Sequence, residues 1–382
     1  MSISNNTSLK TPRNKKVVLV TGATGFIGRQ AIRPLVMKGY QVHILTSKKE
    51  APTKAIVENY FNLSDEQISK VSFHFCDLLD FKSLDVQLTS ILKVVKPSHL
   101  LHLAWYVKHG EFWNSSLNLD WVSASLKLAE LFEKHGGARM VMAGTCAEYD
   151  WSQISTYIDP STKLPKGLAE DFPVGPNTLY GECKLSQYKI LQKFSQNTQL
   201  ELVWGRIFLT YGPHEGVSRL IPYIIQTLLK NEISQLKVNW HQVRDFLHVK
   251  DLAAGFVHLV DDDGVGIFNI ASGKPVTLGH IFLQILKQMK AFMIDTDSAK
   301  DISRRIGAYI GNDTSAYKNF EEATSKLIAE IQAFSAASSA ATTDVLFADV
   351  KKITDTGWSL EISLEQGLTE TIHYWKERLI EQ

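Results

Sequence analysis

Val17-Val18-Leu19-Val20-Thr21-Gly22-Ala23-Thr24-Gly25-Phe26-Ile27-Gly28 is an apolar run that opens directly onto three glycines spaced three apart, with a helical pattern beyond. The run reads as a buried strand, because a strand covered on both faces is continuously apolar. Each glycine has its own task. The first permits a tight turn, the second lets backbone approach a phosphate, and the third packs helix on strand. The helix N-terminus then offers free N–H groups to an anion, so the stretch predicts a dinucleotide-binding turn of Gly22, Thr24, Gly25, Phe26, Ile27 and Gly28.

Working outward, short apolar runs alternate with helical patterns. Strands are predicted at 17–20, 41–45, 71–75, 99–103, 139–143 and 202–208, with helices around 26–38, 81–95, 118–135 and 180–196. This rhythm predicts an α/β fold, a doubly wound parallel (Rossmann) sheet joined to a smaller mixed α/β lobe. Residues 14–212, with 240–270 returning, are assigned to the dinucleotide-binding domain, and 213–239 with 271–382 to the second lobe. Residues 1–13 form a polar extension. Between Asp150 and Asn177 four prolines break the rhythm between a strand end and a helix start, where open α/β sheets take ligands. Near the end, Phe320, Leu327, Ile331 and Phe334 predict an amphipathic helix before a small-residue patch at 335–343. Ser363 and Gln366 make a capping box for a final helix.

Composition excludes several classes. The 382 residues carry 41 basic and 40 acidic side chains, a net charge of +1, which gives no field to gather nucleic acid or an anionic membrane. No apolar stretch is long enough to span a bilayer, and the polar start has no secretory h-region, so a soluble cytoplasmic protein is expected. Cys76, Cys146 and Cys183 lack the spacing of a disulfide framework or a zinc site, and no metal is expected.

The end of the second strand selects between nicotinamide cofactors, because an acid there binds the ribose 2′-OH and repels a 2′-phosphate. Here Thr46-Ser47-Lys48-Lys49 follows the strand, no acid lies between Gly28 and Glu50, and Arg29 and Arg33 stand just beyond the glycines. NADP(H) is therefore the preferred cofactor and NAD(H) the alternative. Tyr180 and Lys184 stand four apart at a helix start and so share a face. A nearby ammonium stabilises phenolate and brings a tyrosine, ordinarily near pKa ~10, into range as acid or base. Thr145, at the end of the fifth strand, is placed to hydrogen-bond a substrate oxygen beside Tyr180.

Together these motifs resemble the extended short-chain dehydrogenase/reductases of the NAD-dependent epimerase/dehydratase family. The resemblance also rests on Cys76-Asp77-Leu78, His102-Leu103-Ala104, Gly144 to Tyr149, Pro176 to Lys184, Gly205-Arg206-Ile207, Tyr211-Gly212-Pro213, Arg244 to Val249 and Gly357-Trp358. It implies that Thr145, Tyr180 and Lys184 are catalytic, with Asn118 completing a relay. It puts Thr46, Lys48, Asp77, Leu78, Ala104 and Lys184 at the cofactor, Asp77 at its adenine. It gives the substrate Thr145, Tyr180 and Arg244, the last clamping a nucleotide diphosphate. A rim pair of Arg244 with Asp245 is the plainer alternative, and His102 reads as a structural histidine.

Sugar dehydratases of the family follow this threonine with acids; here Cys146 and Ala147 stand instead, which disfavours dehydration. Glu148 lies one place further, where an extended chain would point it away. The softer likeness of His102 to Tyr106 and Ala147 to Trp151 is to nucleotide-sugar 4-ketoreductases. The expected function is NADPH-dependent reduction of a nucleotide-linked 4-keto-6-deoxy sugar. The alternatives are a nucleotide-sugar epimerase using bound NAD, or a non-catalytic NAD(P)-binding regulator. A reactive Cys146 or Cys183 is disfavoured, since unpaired cysteines commonly serve as small core residues. Arg304 and Arg305 are further candidate diphosphate contacts. The resemblance also implies a homodimer through helices 118–135 and 180–196, whose apolar faces suit an intramolecular core equally well.

Overall fold

The computed structural model describes residues 15–48, 52–159, 161, 165–230, 238–239, 242–290 and 345–380. Lys49, Arg304, Arg305, the polar extension 1–13, the amphipathic pattern at 320–334 and the patch at 335–343 lie outside the described residues.

Seven parallel strands form the main sheet: β1 (Val17–Thr21), β2 (Gln41–Thr46), β3 (Val71–Phe75), β4 (His99–His102), β5 (Arg139–Thr145), β6 (Glu201–Ile207) and β9 (Gly266–Ile270). Their order is β3-β2-β1-β4-β5-β6-β9. The direction of winding reverses between β1 and β4, and a ligand crevice opens at such a reversal beyond the carboxyl ends of the strands. Side chains alternate between faces along each strand. Val18, Val20, Leu101, Val141 and Val203 pack on one side with α1 (Gly28–Met37) and α8 (Val249–Asp261). Leu19, Leu100, Met140, Met142 and Trp204 pack on the other with α4 (Leu84–Val95), α5 (Leu117–Lys134) and α6 (Leu179–Asn197).

The predicted strands and helices appear within one to three residues of their expected ends. Two short helices, α2 (Lys54–Phe61) and α3 (Asp65–Ile68), stand between β2 and β3 where none was predicted. Both begin at hydroxyl caps, Thr53 and Ser64, which accept N–H groups that a helix start leaves without partners.

A smaller sheet is organised on β8 (Val243–His248), which pairs parallel with β7 (Leu209–Tyr211) and β11 (Val345–Leu346) and antiparallel with β10 (Pro275–Thr277). The segment that rejoins the large sheet therefore starts with α8 rather than at residue 240. Helices α7 (Leu220–Leu229), α9 (Leu278–Lys290) and α11 (Leu364–Ile380) build a second core with Ile224, Ile225, Ile281, Ile285, Leu368 and Ile372. A short α10 (Lys351–Thr354) precedes α11. The predicted capping box holds: Ser363 N donates to Gln366 Oε1 at 3.0 Å and Gln366 N to Ser363 Oγ at 3.2 Å.

The Asp150–Asn177 segment carries a 3-10 stretch, Trp151–Thr156, and bridges from Tyr149 to Val174 and from Leu168 to Ala348. It seats Ile154, Leu168 and Phe172 in a small core with Phe208 and Ala348, and so joins the two sheets. Among the described residues no helix is long and apolar enough to cross a membrane. All three cysteines are buried free thiols, and no group of potential metal ligands is found there.

Candidate active site

At the end of β1 the backbone turns at Gly22 (φ +72°), and a Cβ there would lie 2.7 Å from Ala104 N. A Cβ on Gly28 would lie 2.1 Å from Gly22 O, so the start of α1 sits directly on the turn. Only glycine satisfies both positions. Gly25 N donates to Gly22 O at 2.9 Å, and Ala104 N to Thr21 Oγ1 at 3.3 Å. Phe26 and Ile27 lead into α1, where Arg29 N donates back to Gly25 O at 3.1 Å and Gln30 N to Ile27 O at 3.0 Å, so the turn runs straight into the helix. These features fit the pyrophosphate of a dinucleotide.

At the end of β2, Thr46 is half-buried and Ser47 and Lys48 are exposed; Thr46 Oγ1 accepts from Lys48 N at 3.1 Å. Asp77 follows the adjoining β3, with Oδ1 accepting from Leu79 N, while Leu78 is buried. Arg29 turns toward α2, its Cζ 4.0 Å from the centre of the Tyr60 ring, and Arg33 is exposed. His102 is a structural histidine: it bridges Thr21 Oγ1 at 2.7 Å and Ser125 Oγ at 2.9 Å, and burial pushes it down to about 3.

Thr145, Tyr180 and Lys184 converge, all buried, with 7, 8 and 3 % of their surfaces exposed. Thr178 caps α6 by accepting from Gly181 N at 3.1 Å, which sets Tyr180 and Lys184 one turn apart. The phenol hydrogen-bonds Thr145 and is walled by Phe112, 4.9 Å between ring centres, and by Trp113 at 5.9 Å.

Lys184 does something the spacing did not suggest. Its Nζ donates to Ala143 O at 2.9 Å and stands 3.6 Å from the centre of the Trp105 ring. Burial lowers it to about 7. Turned this way, the ammonium does not depress the phenol as expected. Burial pushes Tyr180 well up, the Thr145 hydrogen bond opposes that, and the cation whose charge reaches the phenol is Arg219. Asn118 does not reach Lys184 either. Its Oδ1 accepts from Trp105 Nε1 at 2.8 Å and its Nδ2 donates to Phe112 O and Ser115 O.

Glu148 departs from expectation as well. Cys146–Glu148 forms a 3-10 turn, not an extended path, and returns the carboxylate beneath Thr145. Oε1 accepts from Thr145 N at 2.8 Å and Trp204 Nε1 at 2.9 Å; Oε2 accepts from Arg206 Nε at 2.8 Å. The pair is wholly buried, so Glu148 is committed to holding the Thr145 backbone. Burial pushes the Cys146 thiol up to about 12 and raises Cys183, which leaves neither a reactive thiolate.

Arg244 lies on β8, half-buried, with Nη1 donating to Val243 O at 2.9 Å, and its charge reaches Cys146 beside Thr145. Asp245 is taken up by Ser272, Gly273 and Ala348. Sequence reasoning missed Trp105 and Arg219 as site residues, turned Glu148 away from the site and gave Arg206 no role in it. Their contacts join positions far apart in the chain, and nothing local announces them.

The family model for the NAD dependent epimerase/dehydratase family matches residues 18–271. A UDP-glucose 4-epimerase of Dictyostelium discoideum is 26% identical over 325 residues, covering 76% of this chain and 85% of its own. A UDP-glucuronate 4-epimerase of Thermodesulfobacterium geofontis is 25% identical over 370 residues, covering 94% and 96%. Among solved structures, a UDP-N-acetylglucosamine 4-epimerase from Methanobrevibacter ruminantium, in complex with UDP-N-acetylmuramic acid, superposes with a TM-score of 0.68 at 20% identity, covering 95% of this chain and 99% of that one. With its glycine turn, its seven-stranded parallel sheet and a matched span reaching from β1 to the end of β9, the chain belongs to the NAD-dependent epimerase/dehydratase family.

Proposed function

We propose that the protein is a nucleotide-sugar 4-epimerase, transferring a hydride reversibly at C4 of the hexose. What supports this reading is the burial of Thr145 at the end of β5 and of Tyr180 and Lys184 in the first turns of α6, in a chain matched over 94% of its length by a 4-epimerase. When bound at the glycine turn, a nicotinamide dinucleotide supplies the hydride acceptor and donor. The chain's own groups do the rest. The Tyr180 phenol takes the proton from the C4 hydroxyl and gives it back, Thr145 Oγ1 holds the same oxygen, and Lys184, once turned from Ala143 O and Trp105, balances charge on the phenol. The Glu148–Arg206 pair fixes the Thr145 backbone, and Phe112, Trp113 and Trp105 keep water from the phenol. Arg244 and Arg219 are assigned to the substrate's diphosphate, a task suited to a planar, permanently charged fork.

The second reading, an NADPH-dependent 4-ketoreductase, is favoured by one feature. The exposed Ser47-Lys48 end of β2 carries no carboxylate to exclude a 2′-phosphate. The two readings separate in one assay. An epimerase interconverts UDP-glucose or UDP-glucuronate and the C4 epimer with no net change in cofactor absorbance. A reductase consumes NADPH stoichiometrically with a 4-keto-6-deoxy nucleotide sugar. Bound cofactor with neither activity across such a panel would leave a binding protein. A homodimer through the outer faces of α5 and α6, where Leu119 and Ile190 are about half exposed, belongs to this reading and is checked by sedimentation.

A further inference from the structure

The Lys184 ammonium stands where charge is disfavoured. Its side chain is buried, and burial is the leading cause of its fall to about 7. An ammonium carries three N–H donors, and Ala143 O accepts one of them at 2.9 Å. Glu148, whose charge favours the ammonium, is itself bonded to Arg206 at 2.8 Å. The other titratable groups around it are uncharged: burial keeps His102 on β4 neutral, Cys146 and Cys183 as thiols, and Tyr180 as a phenol.

What lies over Nζ is the face of the Trp105 indole, with the ring centre 3.6 Å away. The negative face of an aromatic ring attracts a cation, most strongly for an indole and where water is excluded. A neutral amine gains nothing comparable. The contact therefore favours the protonated lysine and works against burial.

The indole is held in place from several sides. Leu103 N donates to Thr21 O at 3.2 Å and Ala104 N to Thr21 Oγ1 at 3.3 Å, which ties the chain just before Trp105 to the end of β1. Trp105 Nε1 donates to Asn118 Oδ1 at 2.8 Å, and the Trp121 ring lies 6.1 Å away between centres. Asn118 is wholly buried, and its Nδ2 is taken up by Phe112 O and Ser115 O, so the amide cannot turn without breaking three hydrogen bonds. A ring that only excluded water would need no such fixed orientation.

We propose that Trp105 is a positioning residue for Lys184, holding its ammonium charged on the indole face, with Asn118 setting the angle of the ring. Its place in catalysis rests on the reading of Lys184 as the ammonium that the reaction uses. The direction of the effect separates this role from shielding. A ring that merely keeps water out lowers a buried lysine, so its loss would let Lys184 climb toward its ordinary 10.5. A ring that holds the charge does the opposite, and its loss lets the lysine fall.

The test is a pH titration by NMR of the full chain labelled selectively at lysine, with Lys184→Met to assign the resonance. Trp105→Leu, which keeps bulk but no ring face, is expected to lower the Lys184 titration by about one pH unit or more. Trp105→Phe keeps a weaker face and loses the N–H to Asn118, so it is expected to fall between W105L and wild type. In a 4-epimerase assay the high-pH limb of the rate should move down by the same amounts. A protein that turns over no nucleotide sugar would refute the proposed function, while the NMR titration would still decide the role of Trp105. A Lys184 titration unchanged or moved upward in W105L overturns the proposal, as does a W105F value equal to that of W105L. Should W105L not fold, W105F alone decides, by a fall for the proposal and by no change or a rise against it.

Discussion

Replacing Glu148 by Gln removes one charge from the floor of the site and leaves its shape nearly intact. The carboxylate accepts three hydrogen bonds, from Thr145 N, Trp204 Nε1 and Arg206 Nε, at 2.8 to 2.9 Å. An amide has one acceptor atom, so its NH2 must face either Arg206 or the other two donors. Arg206, 1 % exposed, is left with the Glu170 carbonyl at 3.1 Å and the face of Tyr149, 4.3 Å from the ring centre. Breaking a buried pair by removing one partner costs about 3–5 kcal/mol, chiefly because the remaining charge is uncompensated. E148Q is therefore expected to lose about that much, read as a shift in denaturant midpoint at constant slope, with Trp204 fluorescence reporting the site. Combining it with Arg206→Met removes the orphaned charge and should recover most of the loss. A catalytic consequence follows, because Glu148 opposes the burial that lowers Lys184. In E148Q that lysine falls below about 7, so any activity that needs its ammonium moves its limb to lower pH. A loss under about 1 kcal/mol, the worth of an exposed pair, or a double variant no more stable than E148Q, would refute the reasoning.

Tyr180→Phe keeps the edge-to-face packing against Phe112 but removes the proton, so turnover should fall by about 10²–10⁴ with cofactor affinity unchanged; steady-state rates within tenfold of wild type would exclude the role. Gly28→Ala puts a methyl 2.1 Å from Gly22 O, and cofactor titration should find binding lost even in protein that folds. His43 and His74 share a 2.8 Å hydrogen bond across β2 and β3, and burial, then the His74 charge, lowers His43 from 6.5 to about 4. The unfolded chain therefore binds more protons in that interval, so stability is whole above pH ~6.5 and declines as pH falls toward about 4. His43→Gln should flatten that slope in pH-dependent melting, and an unchanged slope would rule the pair out.

The sheet was legible because buried parallel strands are apolar throughout, and the glycine turn because a close approach leaves no substitute for glycine. Thr145, Tyr180 and Lys184 could be nominated because one is a strand end and the others share a helix face. What escaped is non-local. Glu148 was read along an extended chain, but the turn at Cys146 reverses it toward Arg206 on the neighbouring strand. Lys184 was read as the partner of Tyr180, whereas Trp105, beyond the end of β4, takes its ammonium. α2 escaped for the opposite reason, since eight residues, little more than two turns, carry little periodicity to read.

Both departures bear on how the phenol handles its proton. A phenolate beside an ammonium, the pair that spacing alone suggests, puts two charges in a pocket shielded by Phe112, Trp113 and Trp105. The structure instead holds a protonated phenol above its ordinary value and a lysine near 7, and burial is the leading cause of both shifts. One desolvation thus acts on the two groups in opposite senses, favouring the neutral form of each. Donating a proton from Tyr180 is ready chemistry in such a pocket, whereas accepting one requires positive charge brought close to the phenol. Lys184 supplies it only by leaving Ala143 and Trp105, and Arg219, at the head of α7, already reaches the phenol from the other lobe. The balance between giving and taking the proton is therefore set by residues of both lobes and not by the Tyr180–Lys184 spacing.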